Sequence, residues 1–509
     1  MKLTKNEKGV LFLVSLISLA LHLYSNYFAS YGIFRDEMYY LACAGRPAAG
    51  YVDHPPLSIL LLAAVKQLAG SSVFAIRLAP ALLLSGVIFI TGMLVKRLGG
   101  SAPAMAVSSL CFFCPVMQGI NACYSMNSLD LFFWTAGFYF LTKIFSEDKL
   151  INWIILGVIM GLGAMNKISM LWFCAGFFLA ILFSPLRSKL LKKEFLYSAA
   201  IALLLFLPFV FWNAANGWAH LEFMRNASAW KYSALSRIQF LKGQLMLMGP
   251  GGIAIVFAAL YFYFADKTGR KFRHNGIVFL TAFVILLLNK TSKAEYLAPA
   301  YPALFAAGGV VFERGAGFKA GKAVFVALLA VITLFGAVSA PFALPLLPVE
   351  KFIAYQKLLG LEPASPEGKK LTNLSQFYAD MFGWQNMALV VSTAYKNLAE
   401  NEKRGAIVFC NNYGEAGAVE YFSGIYELPR AVSFHNNYWF WCGDLNKLKT
   451  VIVIDGKLQE LQEIFSEAYK AGEIRSPYAM PYETNISVYV CKGARFDFPS
   501  IRIKGRHYE

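Results

Sequence analysis

Long apolar stretches separated by short polar loops fill residues 1–347. The hydrocarbon core of a bilayer takes about 20 apolar residues in a helix. The pattern therefore predicts membrane-spanning helices over 9–29, 73–95, 102–118, 129–142, 150–165, 168–185, 195–212, 245–265, 275–289, 295–312 and 323–346, eleven in all. Residues 57–70 are apolar as well, but short and interrupted by Lys66 and Gly70, which suits the membrane interface better than its centre. No small-residue cleavage site follows the first stretch, so it is expected to stay in place as a helix. From residue 348 the pattern changes. Segments 380–400, 414–422 and 458–471 read as helices, and 406–410, 450–454 and 486–491 as strands. Strands alternating with helices predict a small α/β unit. The chain is thus expected to be a polytopic α-helical membrane protein, residues 1–347, followed by a soluble α/β domain, residues 348–509.

Composition supports this division. Hydrophobic residues make up 57% of 509 and charged residues 15%, against about 25% charged in a soluble protein. Mean hydropathy is +0.51. The net charge of +17 belongs to basic loops rather than to nucleic-acid binding. Lys2, Lys5 and Lys8; Lys96 and Arg97; Lys143 and Lys149; Arg187, Lys189, Lys192 and Lys193; Lys267, Arg270, Lys271 and Arg273; and Arg314, Lys319 and Lys322 fall on one side when the spans alternate. Basic loops mark the cytoplasmic side. Loops 31–56, 119–128, 166–167, 213–244 and 290–294, with everything beyond 347, then face outward. Cys111 and Cys114 lie inside an apolar run and read as small buried helix residues. Cys410, Cys442 and Cys491 share the outward tail, where an oxidising compartment permits one disulfide among them.

The chemistry concentrates in the outward loops. Directly after the first span comes Tyr31-Gly-Ile-Phe-Arg-Asp-Glu-Met-Tyr-Tyr40, then Tyr51-Val-Asp-His-Pro-Pro-Leu57. Acids at the mouth of a membrane helix are costly to desolvate unless paired or wet, which makes Asp36 and Glu37 candidates for deprotonating or positioning an acceptor hydroxyl. Arg35 stands beside them. His54, fixed before two prolines, is either a phosphate ligand or a turn histidine. In Tyr124-Ser-Met-Asn127-Ser-Leu-Asp130, Asn127 and Asp130 share a face if the helix has begun, and Asn127 is alternatively a helix cap. Lys167, Lys290 and Lys293 are cations on the outward side, against the charge rule. Lys293-Ala-Glu-Tyr-Leu-Ala-Pro-Ala-Tyr-Pro302 sets one just ahead of an apolar helix, at the depth of a lipid phosphate or of a snorkelling side chain. In the tail, Asn411-Asn-Tyr-Gly-Glu415 and His435-Asn-Asn-Tyr-Trp-Phe-Trp441 serve either sugar stacking or domain packing. No phosphate-loop pattern and no metal-ligand cluster appears, so neither a cofactor nor a metal is expected.

These residues together resemble the polyprenyl-phosphate-dependent membrane glycosyltransferases of the GT-C fold, which include the protein O-mannosyltransferases and the aminoarabinose transferases of lipid A. The resemblance looks closest to bacterial proteins of the glycosyltransferase family 39/83 type. It rests on Arg-Asp-Glu-x-Tyr-Tyr, His-Pro-Pro-Leu, Tyr-Ser-Met-Asn, Lys-x-x-Tyr-Leu-x-Pro-Ala-Tyr-Pro and the tail's Asn-Tyr-Gly-Glu-Ala, and covers residues 1–350 better than the tail. It implies inverting transfer of a sugar from a lipid-phosphate carrier to a lipid A, glycan or protein acceptor on the outer face of a bacterial inner membrane. Asp36 matches the family's catalytic acid and Glu37 its neighbour. Tyr51, Asp53 and His54 fall where the aminoarabinose transferases have Tyr, Glu and Lys, and Asn127 or Asp130 matches a polar residue of the second loop. Glu295 stands where an aromatic is usual. The expected donor-phosphate ligands are Arg35, His54, Lys290 and Lys293, and the expected substrate contacts are Tyr39, Tyr51, Asp53, Asn127, Asp130 and Tyr296. Membrane lipids and the lipid-linked sugar are the expected partners, with no nucleic acid. A lipid-linked-sugar flippase is the rival reading, but it calls for broken helices in repeated halves, and no repeat is present. A non-catalytic scaffold is the other.

Overall fold

The computed structural model describes residues 2–28, 31–445 and 448–509. A helix occupies each of the eleven apolar stretches. Ala29, the last residue of the first stretch, lies outside the described residues. By length and composition, six helices among the described residues can cross a membrane: Lys5–Phe28, Val73–Arg97, Lys193–Ala215, Arg237–Phe264, Arg270–Leu288 and Lys319–Ala343. A seventh arises if Met170–Leu182 and Pro185–Leu191, bent by 115°, count as one. Leu57–Ala69, Ala102–Phe113 and Leu150–Asn166 are shorter apolar helices. The 102–118 stretch is broken by a 3-10 turn at Cys111–Phe113 and restarts at Pro115, whose missing N–H suits a first helical turn.

The helix Val73–Arg97 orients the molecule. Arg77, near its start, meets Glu37, and Arg97, at its end, meets Glu147. Twenty residues of helix separate the two contacts by about 30 Å. At the Arg97 end the basic loops converge through Lys96–Glu7 (2.5 Å), Lys189–Asp148 (3.0 Å) and Arg314–Asp266 (3.4 Å). The acid-bearing stretch lies at the other end, beneath the tail.

The tail carries five strands among the described residues: β1 (Ile407–Phe409), β2 (Arg430–Val432), β3 (Thr450–Ile454), β4 (Phe465–Ile474) and β5 (Ile486–Ala494). Their order is β2-β1-β3-β5-β4, with β1 parallel to both neighbours and β5 antiparallel to β3 and β4. The expected helix over 458–471 stops at Ile464, and β4 takes its place. Leu458, Leu461, Phe465 and Ala468 have helical spacing. That spacing misleads because the chain leaves the helix between Leu461 and Phe465, after which pairing to β5 decides the backbone. The helix expected over 380–400 is confined to Trp384–Lys396.

Alternate residues of the sheet serve two cores. Val408, Ile452 and Val490 face one cluster, and Ile407, Val451 and Cys491 the other. The first cluster also contains Met38–Ala44, Tyr51, Ile59 and Ile76, so the outward loop and the tail share one apolar core. The same alternation settles the cysteines. Cys410 faces the first core and Cys442 and Cys491 the second, and no disulfide forms among the described residues. Cys442 Sγ instead donates to the carbonyls of Ser433 and Tyr438.

Candidate functional site

The stretch after the first span is a helix, Arg35–Ala44. Its start is fixed by a backbone bond from Arg35 N–H to the Asp380 carbonyl (3.1 Å) and by Glu37. Glu37 is 0% exposed. Its Oε2 accepts from the Phe34 N–H (3.0 Å) and Arg77 Nη2 (2.7 Å), and its Oε1 from Arg77 Nε (2.9 Å) and the Tyr124 N–H (2.7 Å). A buried carboxylate persists only when paired and hydrogen-bonded in this way. With both oxygens engaged inside the protein, Glu37 holds the loop together and presents no oxygen to a substrate.

Asp36 is placed differently. Its side chain is 38% exposed. Tyr413 donates to Oδ1 (2.8 Å), and Arg35 Nε lies 3.4 Å from the same atom. Oδ2 has no hydrogen-bond partner among the described residues. Asp36 lines a cavity of about 410 Å³ whose walls include Phe34, Pro115, Val116, Ile120, Leu247 and Phe342. Lys293 lines it too. Its ammonium lies 4.8 Å from the Tyr232 ring centre, with no ion pair among the described residues. The result is a mostly apolar trough whose polar side carries Asp36, Glu295, Glu367 and Asp380, with Arg35 among the acids and Lys293 free of an ion pair among the described residues.

Arg35 braces the acid instead of facing the trough's centre. It reaches Asp36, Glu367 (3.4 Å), Asp380 (3.5 Å) and the Tyr482 hydroxyl (3.2 Å). Burial lifts the Asp380 carboxyl to about 6 against the pull of Arg35, and Asp36 and Glu367 add to the rise. For Glu367 burial acts in the same upward direction, but Arg35, Lys231 and a bond from Gln376 outweigh it and hold that carboxyl at about 2.

A second cavity of about 160 Å³ adjoins the first. It is lined by Asp53, Lys167, Ser169, Trp172, His220 and Tyr296, among others. The Lys167 ammonium donates to Asn127 Oδ1 (2.8 Å), lies 3.5 Å from Asp130 and sits 5.1 Å from the Tyr296 ring centre. Asn127 and Asp130 do therefore share a face, turned to Lys167, and Ser125 rather than Asn127 caps their helix. Asp130 is buried and also accepts from the Ser169 hydroxyl (2.8 Å). Asn127 lines the first cavity and Tyr232 the second, so the Asn127–Lys167 and Tyr232–Lys293 contacts form the seam between them.

The remaining expected residues are set back from both cavities or frame them. Tyr39 is buried and donates to Asp53 Oδ1 (2.9 Å). Tyr51 is buried with its hydroxyl among the Cys43 and Arg46 carbonyls and the Ala48 N–H. His54 is enclosed, stacked on Tyr40 at 4.7 Å and flanked by Tyr51, so a phosphate does not reach it in this conformation. Lys290 is exposed and lines neither cavity; its carbonyl accepts from the Leu235 N–H. The tail motif at 411–415 is a helix start: Asn412 Oδ1 caps the Glu415 N–H (2.9 Å) and Tyr413 reaches Asp36.

Four residues of this site carried little or no sequence signal. Arg77 had one, a lone charge inside an apolar run. Tyr413 belonged to a motif noted for other reasons. Glu367 and Asp380 sit in ordinary polar stretches and become visible only once Arg35 is placed.

The family model described as dolichyl-phosphate-mannose-protein mannosyltransferase matches residues 53–212. A lipid A galacturonosyltransferase, RgtD of Rhizobium johnstonii, is 22% identical over 260 residues, 50% of this chain and 54% of that protein. The chain thus matches about half the length of that relative. Among solved structures, ArnT from Cupriavidus metallidurans in its apo state superposes with a TM-score of 0.64 at 12% identity, covering 95% of this chain and 98% of that one. The same protein bound to undecaprenyl phosphate gives 0.61. The archaeal oligosaccharyltransferase AglB from Archaeoglobus fulgidus gives 0.53 at 10% identity, over 89% of this chain and 70% of that one. At such identities the likeness is one of architecture, and at 95% coverage it takes in most of the chain, tail included: the chain has the GT-C fold of membrane glycosyltransferases.

Proposed function

We propose that this protein transfers a sugar, with inversion, from a polyprenyl-phosphate carrier to a lipid A, glycan or protein acceptor at the periplasmic face of a bacterial inner membrane. In this reading residues 1–347 form the membrane-embedded transferase and residues 348–509 a periplasmic domain. One observation carries it. Among the described residues Asp36 keeps one carboxylate oxygen without a hydrogen-bond partner, at the wall of a mostly apolar cavity that also holds Lys293, which has no ion pair. The apolar wall suits a prenyl chain, the lysine its phosphate, and the acid an acceptor hydroxyl. The likeness to lipid A-modifying and lipid-phosphate-binding proteins supports it further.

The chemistry then needs little more. The acceptor hydroxyl gives its proton to Asp36 Oδ2 as its oxygen bonds to the anomeric carbon. The bond from that carbon to the phosphate oxygen breaks on the opposite face, and polyprenyl phosphate leaves with the electron pair, its charge balanced by Lys293. Tyr413 and Arg35 hold the carboxylate in position. An acceptor that is already an anion needs no base, and Asp36 then orients it.

The test is transfer from a polyprenyl-phosphate sugar by the purified full chain, with envelope lipids and glycans compared by mass spectrometry with and without the gene. Asp36→Asn is expected to lower turnover about 10²–10⁴-fold with a hydroxyl acceptor, at unchanged folding. Near-normal turnover would remove Asp36 from the reaction. Donor that crosses the membrane without being consumed would favour a flippase.

A further inference from the structure

Beyond Arg35 and Glu367, on the side away from the apolar trough, lies a third cavity of about 200 Å³ between the 230 loop and the tail. It is smaller than the ~300–1,000 Å³ of drug-sized sites, the size class of a single sugar ring. Two buried polar groups line it, each with one atom that has no hydrogen-bond partner among the described residues. Glu483 is 2% exposed; its Oε1 accepts from Asn412 (3.0 Å), and its Oε2 has no partner. His435 is 7% exposed; its Nε2 pairs with the Glu509 backbone oxygen (2.9 Å), which leaves the proton there and an unpartnered acceptor at Nδ1. Buried polar atoms are seldom left unpaired, since each costs desolvation without return. Asn412 Nδ2 also bonds Glu415 (3.0 Å), and burial pushes the carboxyls of both Glu415 and Glu483 up, so that Glu483 offers a proton as well as lone pairs.

The rest of the lining completes the chemistry. Trp230, 79% exposed, and Tyr482 offer aromatic faces at the rim. The Lys231 ammonium lies 5.3 Å from the Tyr413 ring centre and acts on the Glu367 carboxylate at a distance, with no ion pair in direct contact among the described residues. Aromatic faces with a neighbouring donor and acceptor suit a pyranose ring. An ammonium beside them that makes no contact ion pair suits a negative substituent.

We propose that this cavity is a saccharide subsite that takes an anionic sugar unit of the acceptor, its ring against Trp230 and Tyr482 and its carboxylate or phosphate substituent against Lys231. Assigning that unit to the acceptor rests on the transferase reading above; the existence of the site does not. Arg35 and Glu367 line both this subsite and the trough that holds Asp36, so the two spaces share a wall.

The test is direct binding to the purified full chain in detergent, without donor, by saturation-transfer NMR and calorimetry. The probes are a methyl hexuronide, a hexose 6-phosphate and a neutral methyl hexoside. At least one anionic probe is expected to bind about tenfold or more tightly than the neutral one, as a charge-assisted hydrogen bond allows. Preference for the uronide identifies a carboxylate-bearing sugar, and preference for the phosphate a phosphorylated one. Lys231→Gln is expected to erase the preference, and Glu483→Ala to weaken all three probes, with unfolding temperatures checked for each. Equal binding of neutral and anionic probes, no binding at all, or a Lys231→Gln protein that keeps the full preference overturns the proposal. Because no donor is present, loss of transfer in Asp36→Asn bears on the reaction alone.

Discussion

Two neighbouring acids have opposite fates. Asp36 and Glu37 are adjacent, equally charged and equally close to the membrane in the sequence. One turn of geometry gives Asp36 an open oxygen and gives Glu37 four internal donors. Sequence reasoning treats the pair as one feature, because what separates them is Arg77, forty positions away and on another helix. The pairing leads to a stability prediction. Glu37→Ala leaves the Arg77 guanidinium buried without its counter-charge, and removal of one member of such a pair costs about 3–5 kcal/mol. Glu37→Leu combined with Arg77→Leu, which removes both charges, is expected to unfold at a higher temperature than Glu37→Ala. Unfolding in detergent measures both. A Glu37→Ala protein as stable as the wild type would rule out the bracing role.

Among the elements, the short helix Arg35–Ala44 decides where the acid stands. The helix Tyr413–Phe422 lies against it with almost no space between the backbones. A Cβ added at Gly417 would come within 3.1 Å of Met38 Cβ and 3.2 Å of the Tyr39 nitrogen. Beyond the helix end, Arg46 makes a two-pronged bond to Glu420 (2.8 and 2.7 Å) and lies over Trp441. Gly417→Leu is therefore expected to push the helices apart. Overpacking of this kind costs about 1–3 kcal/mol, and sugar transfer falls because Tyr413 moves with its helix. Gly424→Ala, where an added Cβ meets nothing within 4 Å, serves as the control and is expected to change neither unfolding nor transfer. If Gly417→Leu transfers sugar at the wild-type rate, the contact does not position the acid. Such contacts are invisible to periodicity. The apolar helices of residues 1–347 were legible from their composition, whereas the short helix Arg35–Ala44, with its charges and tyrosines, read as a loop. β2 was not legible, because Arg430-Ala-Val432 lacks the apolar run that marks the equally short β1, and 458–471 misled because two elements met in one apparent period.

For the molecule as a whole, charge and geometry agree on two ends. The basic loops gathered by sequence meet through Lys96–Glu7, Lys189–Asp148 and Arg314–Asp266, and the tail closes over the other end of Val73–Arg97. Basic loops commonly mark the cytoplasmic side, so under the proposed topology a phosphatase fused after residue 509 is expected to be active in the periplasm. An inactive fusion, with a fluorescent reporter at the same position that lights up inside, would invert the orientation and move every outward residue with it. The candidate site was half legible for a related reason. Its acid lay in a dense local motif after the first span, whereas the groups that hold it, Glu367, Asp380 and Tyr413, are contributed by the far end of the chain.

That contribution has a consequence for how the chain can be inherited and rebuilt. The outward stretch 31–56 and the sheet are not a catalytic part and an accessory part, because Met38–Ala44 and the strand residues Val408, Ile452 and Val490 belong to a single core. A chimera that exchanges residues 348–509 for the tail of a relative receives a sheet face shaped for a different helix. It must bring its own version of 31–56 along, so the two segments, nearly 300 positions apart, form one unit of exchange.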